Sequence, residues 1–154
     1  MTRFTLIACF VLAGAAARAA DPVADEVKKL QGEWQVVEVE AKGKKVAKDD
    51  AEAKSMRFLI KDTELVVRAA DGGGAERKKT FKLDPAKTPK EIDVTSLDGQ
   101  EKDTTAACIY KLEKDRLTIC MPYFTKDPSR RPTEFKAGAD DGLMLITMVR
   151  VKAK

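Results

Sequence analysis

From Trp34 to the end of the chain, apolar and polar residues alternate with a period of two in one short stretch after another. Met56, Phe58 and Ile60, for example, share one parity, and a two-residue turn then leads into the next stretch. A period of two places apolar side chains on one face of a strand, and clusters of Gly, Pro and Asp mark the turns between strands. We therefore predict an all-β fold, with a short N-terminal helix. The strands form a small antiparallel meander that closes into a β-barrel of about eight strands, or a strongly coiled sandwich.

The predicted helix precedes the first strand. Asp21 suits the N-cap, and Val23, Val27 and Leu30 recur at helical spacing. Acidic residues come early in this stretch and lysines come late, which suits the helix dipole at both ends. The pattern predicts a helix over residues 22–31.

Two strands carry apolar residues on both parities. Trp34 and Val36 share one parity, whereas Val37 and Val39 share the other. We therefore expect a bulge or a sharp bend in the first strand, which switches its inward face. The last strand, over about residues 143–152, is apolar on both parities as well, so both of its faces should be covered. We expect the N-terminal helix to cover one of them.

The clearest hairpin has Lys114 and Asp115 as its loop. In that register six apolar side chains share one face, as the pairs Leu112 with Leu117, Tyr110 with Ile119, and Cys108 with Met121. The opposite register would bury Lys111 and Thr118 instead. We therefore favour the first register.

Residues 1–19 have the three-part pattern of a secretory signal peptide: a basic start, an apolar run and small residues before the cleavage site. A cut after Ala19 leaves one domain over residues 20–154. The apolar run is too short to span a hydrocarbon core of about 30 Å. A lipid-attachment box at residues 6–9 is an alternative, but cleavage there would leave only eight residues before Cys9. We predict export through the inner membrane to the periplasm or the outside, without a membrane span.

Two cysteines, Cys108 and Cys120, remain after removal of the leader, and the compartment affects whether they form a disulfide. Disulfides persist in exported proteins. The favoured hairpin register, however, puts the two side chains on opposite faces, so we predict free buried thiols. A disulfide would require the other register, and a metal-bound or catalytic thiol is the remaining alternative.

Charge and composition exclude several classes of function. The formal net charge is +4, and it falls to +2 when two arginines leave with the leader. Charges of both signs are interspersed, which indicates a solvated surface rather than a nucleic-acid or membrane patch. The chain has no histidine, which excludes imidazole bases and the commonest zinc and iron ligands. We expect no cofactor, no metal site and no catalytic constellation; an enzyme would have to use carboxylates, Lys, Tyr or a thiol.

Gly32, Glu33 and Trp34 follow directly on the predicted helix and match the Gly-x-Trp signature of lipocalins. The chain resembles the uncharacterised lipocalin-like domain family that is abundant in planctomycete bacteria. The matching stretches are residues 30–34, 81–85 with 92–95, 109–120, and 131–135. The resemblance implies that Trp34 plugs the closed end of a barrel and that Arg150, from the last strand, packs across it. It implies no established activity.

The barrel interior is the candidate binding site, for a small apolar or acidic molecule. Its candidate ligand-binding residues are Phe58, Arg77, Lys79, Phe81, Tyr110 and Met121. Arg77 and Lys79 share the parity of Phe81, which favours an acidic ligand unless they lie past the rim of the barrel.

Two alternatives remain open. Small barrels are often filled by their own side chains, and inward aromatic residues are core more often than pocket. The domain would then have a structural or interaction role in the cell envelope. Rim loops such as residues 122–132 would contact another protein or a polymer. Carboxylate-based catalysis leaves no signature in a sequence this rich in charge.

Overall fold

The computed structural model describes residues 21–45, 55–69, 75–123 and 125–152. The predicted leader lies outside these residues. No helix in this part of the chain has the length and apolar character needed to cross a membrane. The elements are α1 (Pro22–Leu30), β1 (Gly32–Ala41), β2 (Lys44–Lys45), β3 (Met56–Lys61), β4 (Glu64–Ala69), β5 (Arg77–Asp84), β6 (Lys90–Ser96), β7 (Thr105–Glu113), β8 (Arg116–Pro122) and β9 (Leu143–Arg150).

The strands form one antiparallel sheet that closes on itself. Each strand from β3 to β9 pairs with the next in chain order, and β1 pairs with both β3 and β9. Eight strands thus complete a meander barrel, and the short β2 adds to β1 beyond the end of its pairing with β3. The predicted barrel is confirmed, and the sandwich alternative is not formed.

The predicted bulge in β1 is confirmed. The pairing of β1 with β9 shifts register between Val36 and Glu38. Because of this shift, Val36 and Val39 are both buried in the core although they have opposite parity. A bulge increases the local bend and twist, which helps a strand to follow the wall of a small barrel.

The hairpin of β7 and β8 has the favoured register over most of its length. Leu112 pairs with Leu117 and Tyr110 with Ile119, around the loop at Lys114, whose φ is 55°. The ladder ends at the pair Ile109 with Cys120. The predicted third pair, Cys108 with Met121, is therefore not part of the ladder. Beyond this point β7 bonds the segment that follows β8.

The helix lies across one end of the barrel, contrary to the expectation that it covers β9. Asp21 caps it by accepting a hydrogen bond of 3.0 Å from the backbone of Val23, and Leu30 is fully buried in the core. The Gln31 side chain bonds the backbone of Asp62 in the turn between β3 and β4, which fixes the helix to that end. We call the end of the barrel that carries α1 the closed end. The opposite end, which carries the β6–β7 loop and the segment after β8, is the open end.

Residues 125–142, which we call the strap, fold back over the outside of the barrel. At the open end β8 separates from β7, and the backbone of Ala107 on β7 donates a hydrogen bond of 2.9 Å to Pro128 of the strap instead. Ile109 and Cys120 point outward and are nevertheless fully buried. The strap therefore completes a second, smaller apolar layer on the outer face.

Candidate functional site

The three aromatic residues predicted to line a ligand site lie in the core. Phe58, Phe81 and Tyr110 point inward and belong to the same buried cluster as Trp34. They fill the middle of the barrel and the half nearer the helix. Met121 differs from them, since it is partly exposed at the open end.

The two basic candidates have different positions. Lys79 points into the barrel at the open end, where its ammonium lies 2.7 Å from the hydroxyl of the buried Ser96. The same ammonium is 3.7 Å from a carboxylate oxygen of Glu101 in the β6–β7 loop. Arg77 is exposed at the rim, beside Gly99 of that loop. The structure thus brings Lys79 and Met121 to the open end and leaves Arg77 outside.

Two other residues at the same end, Met56 and Met144, were not among the predicted site residues. Met121 pairs with Met144 of β9, and Met56 begins β3; all three methionines pack partly exposed against the core. In the order of the barrel, β9 lies opposite β5, so Met144 faces the side that carries Lys79 and Ser96. Parity with Phe58 and Ile146 could have marked Met56 and Met144 as inward, and strand direction could have placed them at one end.

The closed end is built around Trp34, which is fully buried. Its indole nitrogen donates a hydrogen bond of 2.8 Å to the carbonyl of Leu30. The guanidinium carbon of Arg150 lies 4.2 Å from the centre of the Trp34 ring. This is the arrangement that the resemblance to lipocalins implies, and it makes the closed end a structural plug.

A buried charged cluster joins the helix to the barrel at the closed end. The carboxylate of Glu26 contacts the ammonium of Lys90, lies 3.1 Å from that of Lys29 and accepts a hydrogen bond of 3.4 Å from the hydroxyl of Tyr110. Burial by itself would raise the pKa of Glu26, but the hydrogen bonds from the two lysines outweigh it, and the pKa lies below its usual range. Burial, together with the charge of Glu26, raises the pKa of Tyr110. The two lysines compensate for the buried charge of Glu26, so the cluster attaches the helix to the barrel.

The thiols are buried on opposite sides of the barrel wall. Cys108 points into the core, Cys120 lies beneath the strap, and both are free. Burial raises the pKa of Cys108 to about 12, and it raises that of Cys120 as well. A thiol with a raised pKa is a poor nucleophile and a poor metal ligand. Among the described residues, no group of three or more metal-binding side chains comes together.

Arg131 fastens the strap to the wall. Its guanidinium donates hydrogen bonds of 2.6 Å to the carbonyl of Cys108 and to a carboxylate oxygen of Asp93, and it lies 3.3 Å from Glu91. The carbonyl of Cys108 is thus bonded to the strap at the point where β8 leaves β7. The ladder stops before the pair of Cys108 with Met121 because the backbone of the preceding residue, Ala107, bonds Pro128 of the strap rather than β8.

Two clefts of about 360 and 200 Å³ lie along the strap at the open end. Thr125, Arg130 and Asp141 line both of them, so the clefts adjoin.

No protein-family model matches the chain, and no curated protein or solved structure does either. Its function has to be inferred from its own residues, of which the inward lysine and the strap clefts are the most informative.

Proposed function

We propose that the barrel is a binding module that holds a small, mainly apolar molecule with an acidic group at its open end. The observation that carries this proposal is the position of Lys79, a cation that points into the barrel beside the buried hydroxyl of Ser96. Placing an ammonium on the inner face is costly unless an anion or a hydrogen-bond acceptor compensates for it. An acidic ligand group is such a partner.

The native partner of Lys79 is weak enough to be displaced. Glu101 lies 3.7 Å away and its side chain is 64% exposed. Exposed ion pairs contribute about 0–1 kcal/mol, so a ligand carboxylate that reaches both Lys79 and Ser96 can replace Glu101. The hydroxyl of Ser96 would supply a second hydrogen bond to that carboxylate.

The apolar part of the ligand would lie against the methionines. Met121 and Met144 form one wall opposite Lys79, and Met56 extends it. Methionine side chains are flexible and polarisable, so they adapt to apolar ligands of different shapes. Phe81, two residues from Lys79 on the same face, is buried beneath this region and forms its floor. The ligand would therefore occupy the mouth of the barrel.

The test compares decanoate with decan-1-ol by calorimetric titration of the leaderless protein. We expect decanoate to bind more tightly, and Lys79→Met to weaken it by about tenfold while leaving decan-1-ol unchanged, because a charge-assisted hydrogen bond is lost. Glu101→Gln should strengthen decanoate binding, since it removes the competing carboxylate. Lys82→Met, on the exposed outer face of β5, is the matched control and should have no effect.

An alternative is a structural or protein-interaction domain of the cell envelope with a filled barrel. The burial of Phe58, Phe81 and Tyr110 in one cluster with Trp34 favours it. If neither decanoate nor decan-1-ol binds, or if Lys79→Met and Lys82→Met act alike, the ligand proposal fails and this alternative stands.

We also propose that the chain is exported and that it belongs with the lipocalin-like family. The support for export is the leader pattern of residues 1–19. The support for the family is the stack of Arg150 on Trp34 in a closed barrel of eight strands. A binding role rather than catalysis is supported by the lack of histidine in the sequence.

A further inference from the structure

The strap and the tip of the β1–β2 hairpin enclose a groove on the outside of the barrel, away from the inward face of Lys79. The larger cleft is lined by Lys42, Lys126, Arg130 and Asp140, and the smaller one adds Pro132 and Leu143. A volume of about 360 Å³ for the larger cleft alone is within the usual range for small-molecule sites.

The groove is held in shape by contacts that do not involve Lys126 or Arg130. The backbone of Gly43 donates a hydrogen bond of 3.1 Å to Ala137, and Tyr123 bonds Gly142 at 3.0 Å. Arg131 and Pro128 fasten the strap to β7. A preformed cleft loses little conformational entropy when it binds a ligand.

Two cations line the groove without an ion pair inside the described part of the protein. Neither Lys126 nor Arg130 has a carboxylate within ion-pair distance there. Two nearby acids hold other donors: Asp141 accepts hydrogen bonds from the backbones of Gly138 and Leu143, and Asp127 accepts from Ser129. Those bonds from Ser129 lower the pKa of Asp127, and the charge of Arg130 adds a smaller effect in the same direction. The groove therefore offers the guanidinium of Arg130 and the ammonium of Lys126 to an anion.

Other groups in the groove suit hydroxyls. The hydroxyl oxygen of Thr125 accepts a hydrogen bond from the backbone N–H of Asp127. The hydroxyl hydrogen of Thr125 is therefore available to donate. Asp140 is exposed at the edge, and its carboxylate can accept hydrogen bonds. Leu143, which is partly exposed, supplies apolar surface. Cations, hydroxyl partners and an apolar side chain together match a sugar ring that carries a carboxylate, whereas a peptide of acidic residues carries carboxylates without side-chain hydroxyls.

We propose that the strap groove binds acidic polysaccharide, with the carboxylate of a uronic acid unit on Arg130 and its hydroxyls on Thr125 and Asp140. A guanidinium binds a carboxylate through two parallel hydrogen bonds, which gives orientation as well as affinity. Because the two clefts adjoin at Arg130, a second sugar unit can extend from the larger cleft into the smaller one. The site is independent of the proposed ligand at the mouth of the barrel.

The experiment titrates tetragalacturonate into the full leaderless protein, by calorimetry at low salt. We expect binding, and a loss of about fivefold or more with Arg130→Gln and with Lys126→Gln. Lys82→Gln, which removes the same charge from the outer face of β5, should change binding by less than about twofold. Lys79→Met should also leave it unchanged, which separates this site from the barrel mouth.

Two further probes decide the ligand class. The fully methyl-esterified tetramer should bind at least about tenfold more weakly, because the carboxylate is masked. Tetraglutamate should bind about fivefold more weakly than tetragalacturonate, because it lacks hydroxyls. Absence of binding, equal binding of the ester or of tetraglutamate, or equal effects of Arg130→Gln and Lys82→Gln would each overturn the proposal.

Discussion

Arg150 lies over Trp34, with its guanidinium carbon 4.2 Å from the ring centre, and the two residues are direct partners in the ladder that closes the barrel. The same guanidinium donates to the carbonyls of Lys29, at 2.7 Å, and Gln31 at the end of α1. Gly32, with a φ of +113°, lets the chain turn there, and a Cβ at this position would lie 3.2 Å from the guanidinium. One side chain thus joins the first strand, the last strand and the helix.

Trp34→Ala should destabilise the protein by about 3–5 kcal/mol, because it removes a fully buried aromatic side chain. From the sequence resemblance alone, Arg150→Lys would lose only the stack, which contributes about 1 kcal/mol. The structure raises that figure to about 2–3 kcal/mol, since a lysine cannot keep the hydrogen bonds to the carbonyls of α1. Urea unfolding of both variants measures the two losses.

A double-mutant cycle separates the stack from the helix contacts. Removal of Trp34 and Arg150 together should cost about 1 kcal/mol less than the sum of the single losses, because the stack can be lost only once. A purely additive result would mean that the two side chains do not interact energetically.

The parity of apolar residues was enough to predict the parts of the fold that depend on neighbouring strands. Val36 and Val39, on opposite parities, required a bulge, and the register of Tyr110 with Ile119 followed from the burial of one face. Such features are local, since each depends on residues close together in the chain.

The strap was not predicted, because its contacts join residues far apart in the chain. Arg131 meets Asp93 across 38 positions, and no periodicity signals that pairing. A weak signal existed: β7 is apolar on both parities, with Ile109 outward and Cys108 inward, so both of its faces had to be covered. The same argument, applied to β9, led to the wrong position for the helix, because it indicates that a face is covered and not which segment covers it.

Cys108 and Cys120 should both react as free thiols after unfolding without reductant and react slowly in the folded protein. The reason is burial, which keeps both thiols protonated at pH 8. Labelling with a chromogenic disulfide reagent, with and without denaturant, counts them in the leaderless protein. A count of zero after unfolding would show a disulfide.

The same burial makes stability depend on alkaline pH. The pKa of Cys108 is raised to about 12 in the folded state, whereas an exposed thiol has a pKa of about 8.5. The unfolded chain therefore loses its proton first, so this contribution is complete below about pH 8.5 and declines as pH rises toward 12. Cys108→Ala should show a smaller loss of stability between pH 8 and 10 than the parent in urea unfolding.

Secreted protein should begin at Ala20, or at Asp21 if cleavage slips by one residue. Small residues at Ala17 and Ala19 favour this cut, and they lie outside the described residues. N-terminal sequencing of protein exported from a bacterial host gives the answer. A chain that retains Phe4, or one with a lipid on Cys9, would contradict the leader assignment.

Arg131→Met should cost about 2–4 kcal/mol and loosen the strap, because it leaves the carbonyl of Cys108 without its partner and two carboxylates without their cation. Cys120 lies beneath the strap, with its thiol directed at the carbonyl of Lys136. In a Cys108→Ala background, Arg131→Met should therefore speed labelling of Cys120 in the folded protein.

Arg116→Met is the matched control for the strap experiment. Arg116 is exposed on β8 and forms no ion pair within the described part of the chain, so its loss should change stability by less than about 0.5 kcal/mol. If both arginine variants label at the same rate, Arg131 does not fasten the strap.

Glu26→Gln should destabilise the protein at pH 7 by about 1–2 kcal/mol, a value reduced because both lysine partners are partly exposed. The lowered pKa of Glu26 sets the pH dependence: its charge stabilises the fold above the unfolded pKa of about 4.3, and this contribution is lost as pH falls below that value. The difference in unfolding free energy between parent and variant should therefore shrink between pH 5 and pH 3.

Asp25→Asn is the control on the same helix. Its exposed pair with Lys28 should contribute less than about 0.5 kcal/mol. Equal losses in the two variants, or a Glu26→Gln difference that does not change with pH, would mean that the Glu26 cluster does not fasten the helix to the barrel.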